Sequence, residues 1–259
     1  MEVNALKGKT AVVTGGGRGI GRAIAVGLAE QGVDRIGLIA RSADQLSAAA
    51  RAVENAGART KIIAADLSRL DGLPTIVDDL TAELGGVDVL INNAAVVAPL
   101  GPTTTVSLQS YLDALALNVV AVAGLSALLI PGMRERAWGR IVNVSSGVAG
   151  HPTGMIGGNA YAASKAALEA HSLNLSAELS GSGVTVNIYR PGIVDTAMQG
   201  WIRDQDPAVI GEQMHGRFHS YHESGLLISP EASAAKLIAR VAGEESGQIW
   251  DVNDDVDAG

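Results

Sequence analysis

Thr14-Gly15-Gly16-Gly17-Arg18-Gly19-Ile20-Gly21 stands between two segments of different periodicity. Before it runs a β-prone stretch, Thr10-Ala11-Val12-Val13. After it, Ile24, Leu28 and their neighbours repeat at helical spacing and stop near Gly32. Strand, glycine turn and helix in that order open a nucleotide-binding βαβ unit. Glycine permits positive φ and lets backbone approach a ligand closely. The helix behind it offers free N–H groups and a positive dipole end to a phosphate. The glycines read G-x-x-x-G-x-G over Gly15, Gly19 and Gly21, not G-x-G-x-x-G. A Walker loop is excluded, because Arg22-Ala23 stand where Lys-Ser/Thr would follow Gly21. The alternative at this point is a glycine turn that binds nothing.

Working outward, the pattern repeats. Ile36 to Ala40 predicts a second strand, followed by Arg41 and a helix capped by Ser42 or Asp44, with Leu46, Ala49, Ala50 and Val53 on one face. Lys61 to Leu67 predicts a third strand carrying Asp66 near its end, and Val87 to Ile91 a fourth, ending in Asn92-Asn93-Ala94-Ala95. Alternating strands and helices imply a parallel sheet, and near-continuous apolar runs imply strands covered on both faces. Gly15, Arg41, Asp66 and Asn93 all fall at strand carboxyl ends, where such sheets bind ligands. A helical region from Leu108 to Arg136 holds Asn118, with a break expected at Pro131-Gly132. Strands are expected at Arg140 to Val144, Val184 to Tyr189 and Gln248 to Trp250, and helices from Asn159 to Ser180 and from Pro230. Residues 195–229 lack a clean period and are expected to form a flap, with Trp201, Met214, Phe218 and Tyr221 as its apolar surface. The acidic tail, Asp251 to Gly259, is expected to fray. No repeat or linker divides the chain, which reads as a single domain over 1–259.

The 259 residues include 47% hydrophobic and 18% charged, a globular composition able to bury a large core. The formal net charge of −8 disfavours nucleic acid and anionic membrane as partners. There is no cysteine, which excludes disulfides, thiol catalysis and cysteine metal sites and suits the cytoplasm. Val119 to Ile130, the most apolar stretch, reads as a buried helix too short to span a bilayer.

Tyr161-Ala162-Ala163-Ser164-Lys165 puts a phenol and an ammonium on one helix face. A lysine cation beside a phenol stabilises the phenolate, giving an acid or base for an alcohol or carbonyl near neutrality. Ser146, at the end of the fifth strand, can bond the same substrate oxygen, although Ser145-Ser146 can also be turn residues. Asp66 can cap the following helix instead of touching a ligand. His215, His219 and His222 invite a metal reading, but no carboxylate partner is obvious beyond Glu212 and Glu223, so no metal is expected.

Taken together, Thr14–Gly21, Asn92 to Ala95, Asn118, Ser146, Tyr161-x-x-x-Lys165 and Pro191-Gly192 resemble, in order and spacing, the compact branch of the short-chain dehydrogenase/reductase family. The resemblance covers roughly residues 6–252. It implies a doubly wound, seven-stranded parallel α/β (Rossmann) sheet and a tetrad of Asn118, Ser146, Tyr161 and Lys165. Tyr161 would donate a proton to the substrate oxygen and Ser146 would polarise that oxygen. Lys165 would bind the nicotinamide ribose and lower the Tyr161 pKa, and Asn118 would hold a water leading from Lys165 to solvent. The alternative for Asn118 is a helix-interior amide bonded to backbone. The resemblance also implies a cofactor site. Gly15, Gly17, Gly19, Ile20 and Gly21 would form its glycine loop, Asp66 and Leu67 would contact adenine, and Asn93 and Ala94 would line the cleft. Pro191, Gly192, Val194 and Thr196 would wrap the nicotinamide and pyrophosphate. Two departures stand out. The Ser146–Tyr161 interval is longer than the family's usual one, and Arg190 replaces the small residue common before Pro191.

Cofactor choice follows from charge. An acid at the end of the second strand would bond a ribose 2′-OH and repel a 2′-phosphate. Here that position is Ala40, with Arg41 and Ser42 beside it and Arg18 in the glycine loop, so NADP(H) is expected. The leading reading is an NADP(H)-dependent oxidoreductase acting on a small carbonyl or alcohol substrate. The alternatives are a nucleotide-sensing regulatory protein on the same fold and an epimerase or dehydratase of the longer branch, for whose extra domain this chain has no room. The resemblance also implies a homodimer or homotetramer built on the helices holding Asn118 and Tyr161.

Overall fold

The computed structural model describes residues 5–255. Seven strands form one parallel sheet: β1 (Thr10–Thr14), β2 (Arg35–Ala40), β3 (Arg59–Ala64), β4 (Val89–Asn92), β5 (Gly139–Val144), β6 (Val184–Arg190) and β7 (Ile249–Asp251). Their order is β3-β2-β1-β4-β5-β6-β7, so strand order reverses between β1 and β4, and a cleft opens there at the carboxyl ends.

Side-chain alternation divides the core. Ala11 and Val13 of β1 face α1 (Gly19–Glu30), α2 (Ala43–Asn55) and α10 (Pro230–Val241). Val12 faces the other way, into a core with α3 (Leu73–Leu84), α5 (Ala121–Glu135) and the end of α6 (Asn159–Glu178). Each fully buried Leu or Ile in these layers contributes about 1.5–3 kcal/mol relative to exposure. Ser42, not Asp44, caps α2, its Oγ accepting from Gln45 N at 3.3 Å.

Four expectations change. β3 starts at Arg59 and stops at Ala64, short of Asp66, because its partner among the described residues, β2, ends at Ala40 opposite Ala64. β4 begins at Val89 rather than Val87, and Asp88 uses its carboxylate to accept from Thr10 N at 3.0 Å. Pro131 does not break α5. Both Pro131 and Ala127, whose carbonyl loses its partner, lie on the exposed side where water can serve. Helix α4 (Leu108–Leu115), a π turn (Ala116–Val120) and α5 run on as one 28-residue helix. By length and composition this helix is apolar enough to cross a membrane, but it connects β4 to β5 and buries Leu125, Leu129 and Met133 on the sheet.

Residues 195–229 contain three helices, α7 (Ala197–Arg203), α8 (Pro207–Ile210) and α9 (Glu212–Glu223). Ile202, Ile210, Met214 and Phe218 pack on Val97 and Leu100 from the β4–α4 loop, forming a small core of their own over the cleft. Of the four expected apolar residues, Met214 and Phe218 are buried, while Trp201 is 40% exposed. The tail begins as β7 and a turn in which Asp254 accepts from Asp251 N and Arg240; residues 256–259 lie outside the described residues.

Candidate active site

At the end of β1 the chain must turn from strand to helix within a few residues. Gly15 takes φ +65°, and a Cβ there would stand 2.7 Å from Asn93 Nδ2. A Cβ at Gly21 would collide with the Gly15 carbonyl oxygen. These two positions let β1, the loop and α1 close on one another. Thr14 ties the loop to the neighbouring strand: its Oγ1 accepts from Asn93 N at 2.9 Å and Ala94 N at 3.0 Å. Asn93 answers by donating from Nδ2 to Thr14 O at 2.9 Å. Arg18, the N-cap of α1, provides no side-chain acceptor, and the first turn has no acid. The N-terminal N–H groups of α1 are thereby left for an anion.

One cavity of about 970 Å³ runs from this loop to the cap. Its walls include Gly15, Gly17, Arg18, Gly19, Ile20, Arg41, Ser42, Asp66, Leu67, Asn93 and Ala94 at one end. Pro191, Gly192, Val194 and Thr196 close it along one side, with Thr196 Cγ2 resting 3.4 Å from where a Gly19 Cβ would lie. Arg18 and Arg41 are exposed at its rim, and neither forms an ion pair among the described residues. Asp66 lines the cavity and also accepts from Ser68 N at 3.0 Å and Ser68 Oγ at 2.7 Å. Those bonds, more than the nearby Arg41, hold its carboxyl below the usual range. Gly21 does not line the cavity; it supports the loop from behind.

Tyr161 and Lys165 stand where the two ends of the cavity meet, on the first turns of α6. Lys165 is buried, and its Nζ donates to Val144 O at 2.8 Å. Burial pulls its ammonium down to about 8, with Glu169 acting in the opposite sense. Burial raises the Tyr161 phenol, and the Ser146 hydroxyl opposes that rise. The expected lowering by Lys165 is not seen here: Nζ sits 5.8 Å from the Tyr161 ring centroid and donates to the Val144 carbonyl. Ser145 and Ser146 separate cleanly. Both line the cavity, but Ser145 Oγ donates to buried Glu169 Oε1 at 2.8 Å, whereas the Ser146 hydroxyl faces Tyr161 and caps its own loop through Val148 N.

Asn118 lies within the π turn, buried and outside the cavity wall. Its Oδ1 accepts from Val96 N, and Nδ2 donates to Val96 O and Ser164 Oγ, each at 2.9 Å. Both amide hydrogens are spent inside the protein, as the backbone-bonded alternative expects, and the bonds fix the β4–α4 loop to α6. Thr14 and Ser164 lie inside the glycine-loop and Tyr-x-x-x-Lys motifs, and their hydroxyls are the signal in the sequence for these tethering roles. Tyr221, expected as apolar surface of the flap, lines the far end together with His151, Met155, Met198 and Arg217, which carry no sequence pattern that marks them. His215 and His219 rings pack at 4.4 Å, and no cluster fit for a metal occurs among the described residues.

Comparison with known proteins decides the lineage. Residues 9–207 match the family model described as short chain dehydrogenase. The chain is a short-chain dehydrogenase. It is 33% identical over 233 residues to a 3-oxoacyl-[acyl-carrier-protein] reductase of Vibrio cholerae, covering 88% of this chain and 93% of the relative. It is 38% identical over 201 residues to a 17-beta-hydroxysteroid dehydrogenase type 3 of Danio rerio, covering 74% and 63% respectively. The structure of L-sorbose reductase from Gluconobacter frateurii, complexed with NADPH and L-sorbose, superposes with a TM-score of 0.84 at 30% identity and 97% coverage of both chains. The short-chain dehydrogenase fold, an oxidoreductase acting on CH–OH or C=O groups, and a nicotinamide cofactor follow from this membership.

Proposed function

We propose that this short-chain dehydrogenase is an NADP(H)-dependent reductase of small carbonyls, running in reverse on secondary alcohols. The observation that carries the reading is the convergence of Tyr161, Ser146 and Lys165 on the middle of one cavity whose far wall is the glycine loop. The glycine cradle, the uncapped start of α1 and the rim arginines suit a dinucleotide phosphate. A nicotinamide cofactor held there would supply the hydride for the carbonyl carbon. The chain's own residues do the rest. Tyr161 gives the proton of its hydroxyl to the substrate oxygen, and Ser146 Oγ donates a hydrogen bond to that same oxygen. Lys165, anchored on Val144 O, holds the ribose and faces Tyr161 with a positive charge. Asn118 keeps Val96 and Ser164 in place around them. Arg18 and Arg41 take the 2′-phosphate that the missing acid at Ala40 leaves room for.

A nucleotide-sensing regulator on the same fold would not need Tyr161 and Lys165 in register. The proposal extends to a cytosolic setting, consistent with a chain free of cysteine, and to a two-fold assembly through the faces carrying exposed Leu128 and Leu173. A concentration-independent monomer mass would contradict the assembly. Function itself is tested by nicotinamide absorbance against a panel of ketones, aldehydes, ketoacids and sugars. Steady NADPH oxidation with at least one is expected; tight NADPH binding without turnover of any would favour the regulator.

A further inference from the structure

The two departures noted in the sequence meet in space. The Arg190 guanidinium lies flat against Gly150 in the long loop after Ser146; a Cβ there would stand 3.1 Å from Nη1 and 3.2 Å from Nη2. The same guanidinium is forked onto Glu169, Nε donating to Oε1 at 2.9 Å and Nη2 to Oε2 at 2.7 Å. Their side chains are only 18% and 10% exposed. Glu169 Oε1 also accepts from Ser145 Oγ, so one carboxylate gathers the end of β5, the end of β6 and α6. Glu169 lies one turn beyond Lys165 and two beyond Tyr161, hence on the same helix face. Backbone bonds extend the node: Ser145 N donates to Tyr189 O at 2.7 Å, and Val252 N to Arg190 O at 3.0 Å.

We propose that the Glu169–Arg190 pair is a positioning device for the reaction. It sets Ser146 and the Pro191-Gly192 strap against the Tyr161–Lys165 face, and it seats the long loop over them. The inference rests on the reductase reading given above. Stability alone accounts poorly for such a pair, because desolvating two charges offsets most of their attraction. A fork onto a carboxylate, in contrast, fixes distance and angle together. The pair also sets the charge around Lys165. The charged or titratable groups there are Tyr161 and Glu169 on α6, Arg190 on β6 across Glu169, and Asp251 of β7 beside Arg190; the end of β5 adds the hydroxyls of Ser145 and Ser146. The Glu169 carboxylate counters the burial that lowers the Lys165 ammonium.

Three variants test this. Arg190→Lys keeps the charge and loses the fork. Glu169→Gln loses the anion. Glu169→Gln combined with Arg190→Met is a neutral pair, which is expected to fold even if Glu169→Gln alone, with its unpaired buried guanidinium, does not. Turnover, NADPH affinity by fluorescence and thermal stability are measured on each. The titration of Lys165 is followed by carbon-13 NMR of labelled lysine, tractable with five lysines in the chain and assigned with Lys165→Met. Arg190→Lys and the neutral pair should fold, bind NADPH within about threefold of wild type, and lose roughly ten- to a hundredfold in kcat. Lys165 should titrate roughly one pH unit lower in Glu169→Gln and return toward wild type in the neutral pair. Wild-type kcat in both folded variants would overturn the proposal, as would an unmoved Lys165 titration in Glu169→Gln. If the wild type turns over no carbonyl, the reductase reading fails on its own evidence, and the Lys165 titration, which needs no substrate, still decides whether the pair acts on that residue.

Discussion

At the glycine-loop end, the cavity wall is largely backbone. Gly15, Gly17 and Gly19 present no side chain, α1 offers its uncapped N–H groups, and Thr14 and Asn93 lock the loop to β4. At the cap end, the wall is side chains: Met155, Met198, Ile202, Arg217, Phe218 and Tyr221, drawn from a 3₁₀ turn and two short helices. The first end is specified by spacing, because backbone can approach a ligand only where glycine falls at particular positions. The second is specified by which side chains pack on Val97 and Leu100, and many sequences solve that problem. The contrast is compatible with similar proteins being named, variously, a 3-oxoacyl-[acyl-carrier-protein] reductase, a 17-beta-hydroxysteroid dehydrogenase and an L-sorbose reductase.

If this contrast holds, each end can be altered without the other. The larger effect is expected at the loop end. On the NADP(H) proposal, two guanidinium contacts at about 1.5 kcal/mol each should favour NADPH over NADH by roughly two orders of magnitude in kcat/KM. Ala40→Asp with Arg41→Leu should erase or invert that preference while leaving the choice among carbonyls unchanged. Wild-type values for the two cofactors within about threefold, or under 0.7 kcal/mol, would show that Arg18 and Arg41 do not read the phosphate. A smaller effect is expected at the cap. Phe218 is buried against the cap core and meets Tyr221 edge-on at 5.9 Å between centroids. Phe218→Ala should loosen that wall and raise KM for the carbonyl about tenfold, equivalent to about 1.4 kcal/mol, with NADPH affinity unchanged. A matching loss of NADPH affinity would mean that the two ends are not separable.

The same contrast governs what could be read from the sequence. Apolar runs located the strands, but covering on both faces holds only for the inner ones: β1, β4 and β5 are buried throughout, whereas the edge strands β3 and β7 are only partly covered. Their ends were less legible: Ala65-Asp66-Leu67 looks like more strand, and only the ladder to β2 shows that pairing stops at Ala64, with Ala65 N making the last bond to Ala40 O. The motif positions at the loop end converged on one cavity because each belongs to a strand end, and strand ends in a parallel sheet share one edge. Ser145 and Ser146 are alike in the sequence, and part of what sets them apart in the structure is a partner 24 residues from Ser145, Glu169. Glu169 itself was visible in principle as the next turn of the Tyr161–Lys165 face. Its meaning depends on Arg190, which comes from another strand. The cap showed no clean period because α7 to α9 are short and bury only a few residues each.

Tyr161 stands where the two ends join, and Tyr161→Phe removes one hydroxyl while leaving the ring that packs against the cap core. The decisive measurement is kcat for wild type and Tyr161→Phe on a carbonyl that the wild type reduces, at saturating substrate, with NADPH affinity measured alongside. The account predicts a loss of roughly 10²–10⁴-fold in kcat with NADPH affinity preserved. Full turnover in Tyr161→Phe would contradict it, because the proton would then reach the substrate oxygen by a route that does not use this residue.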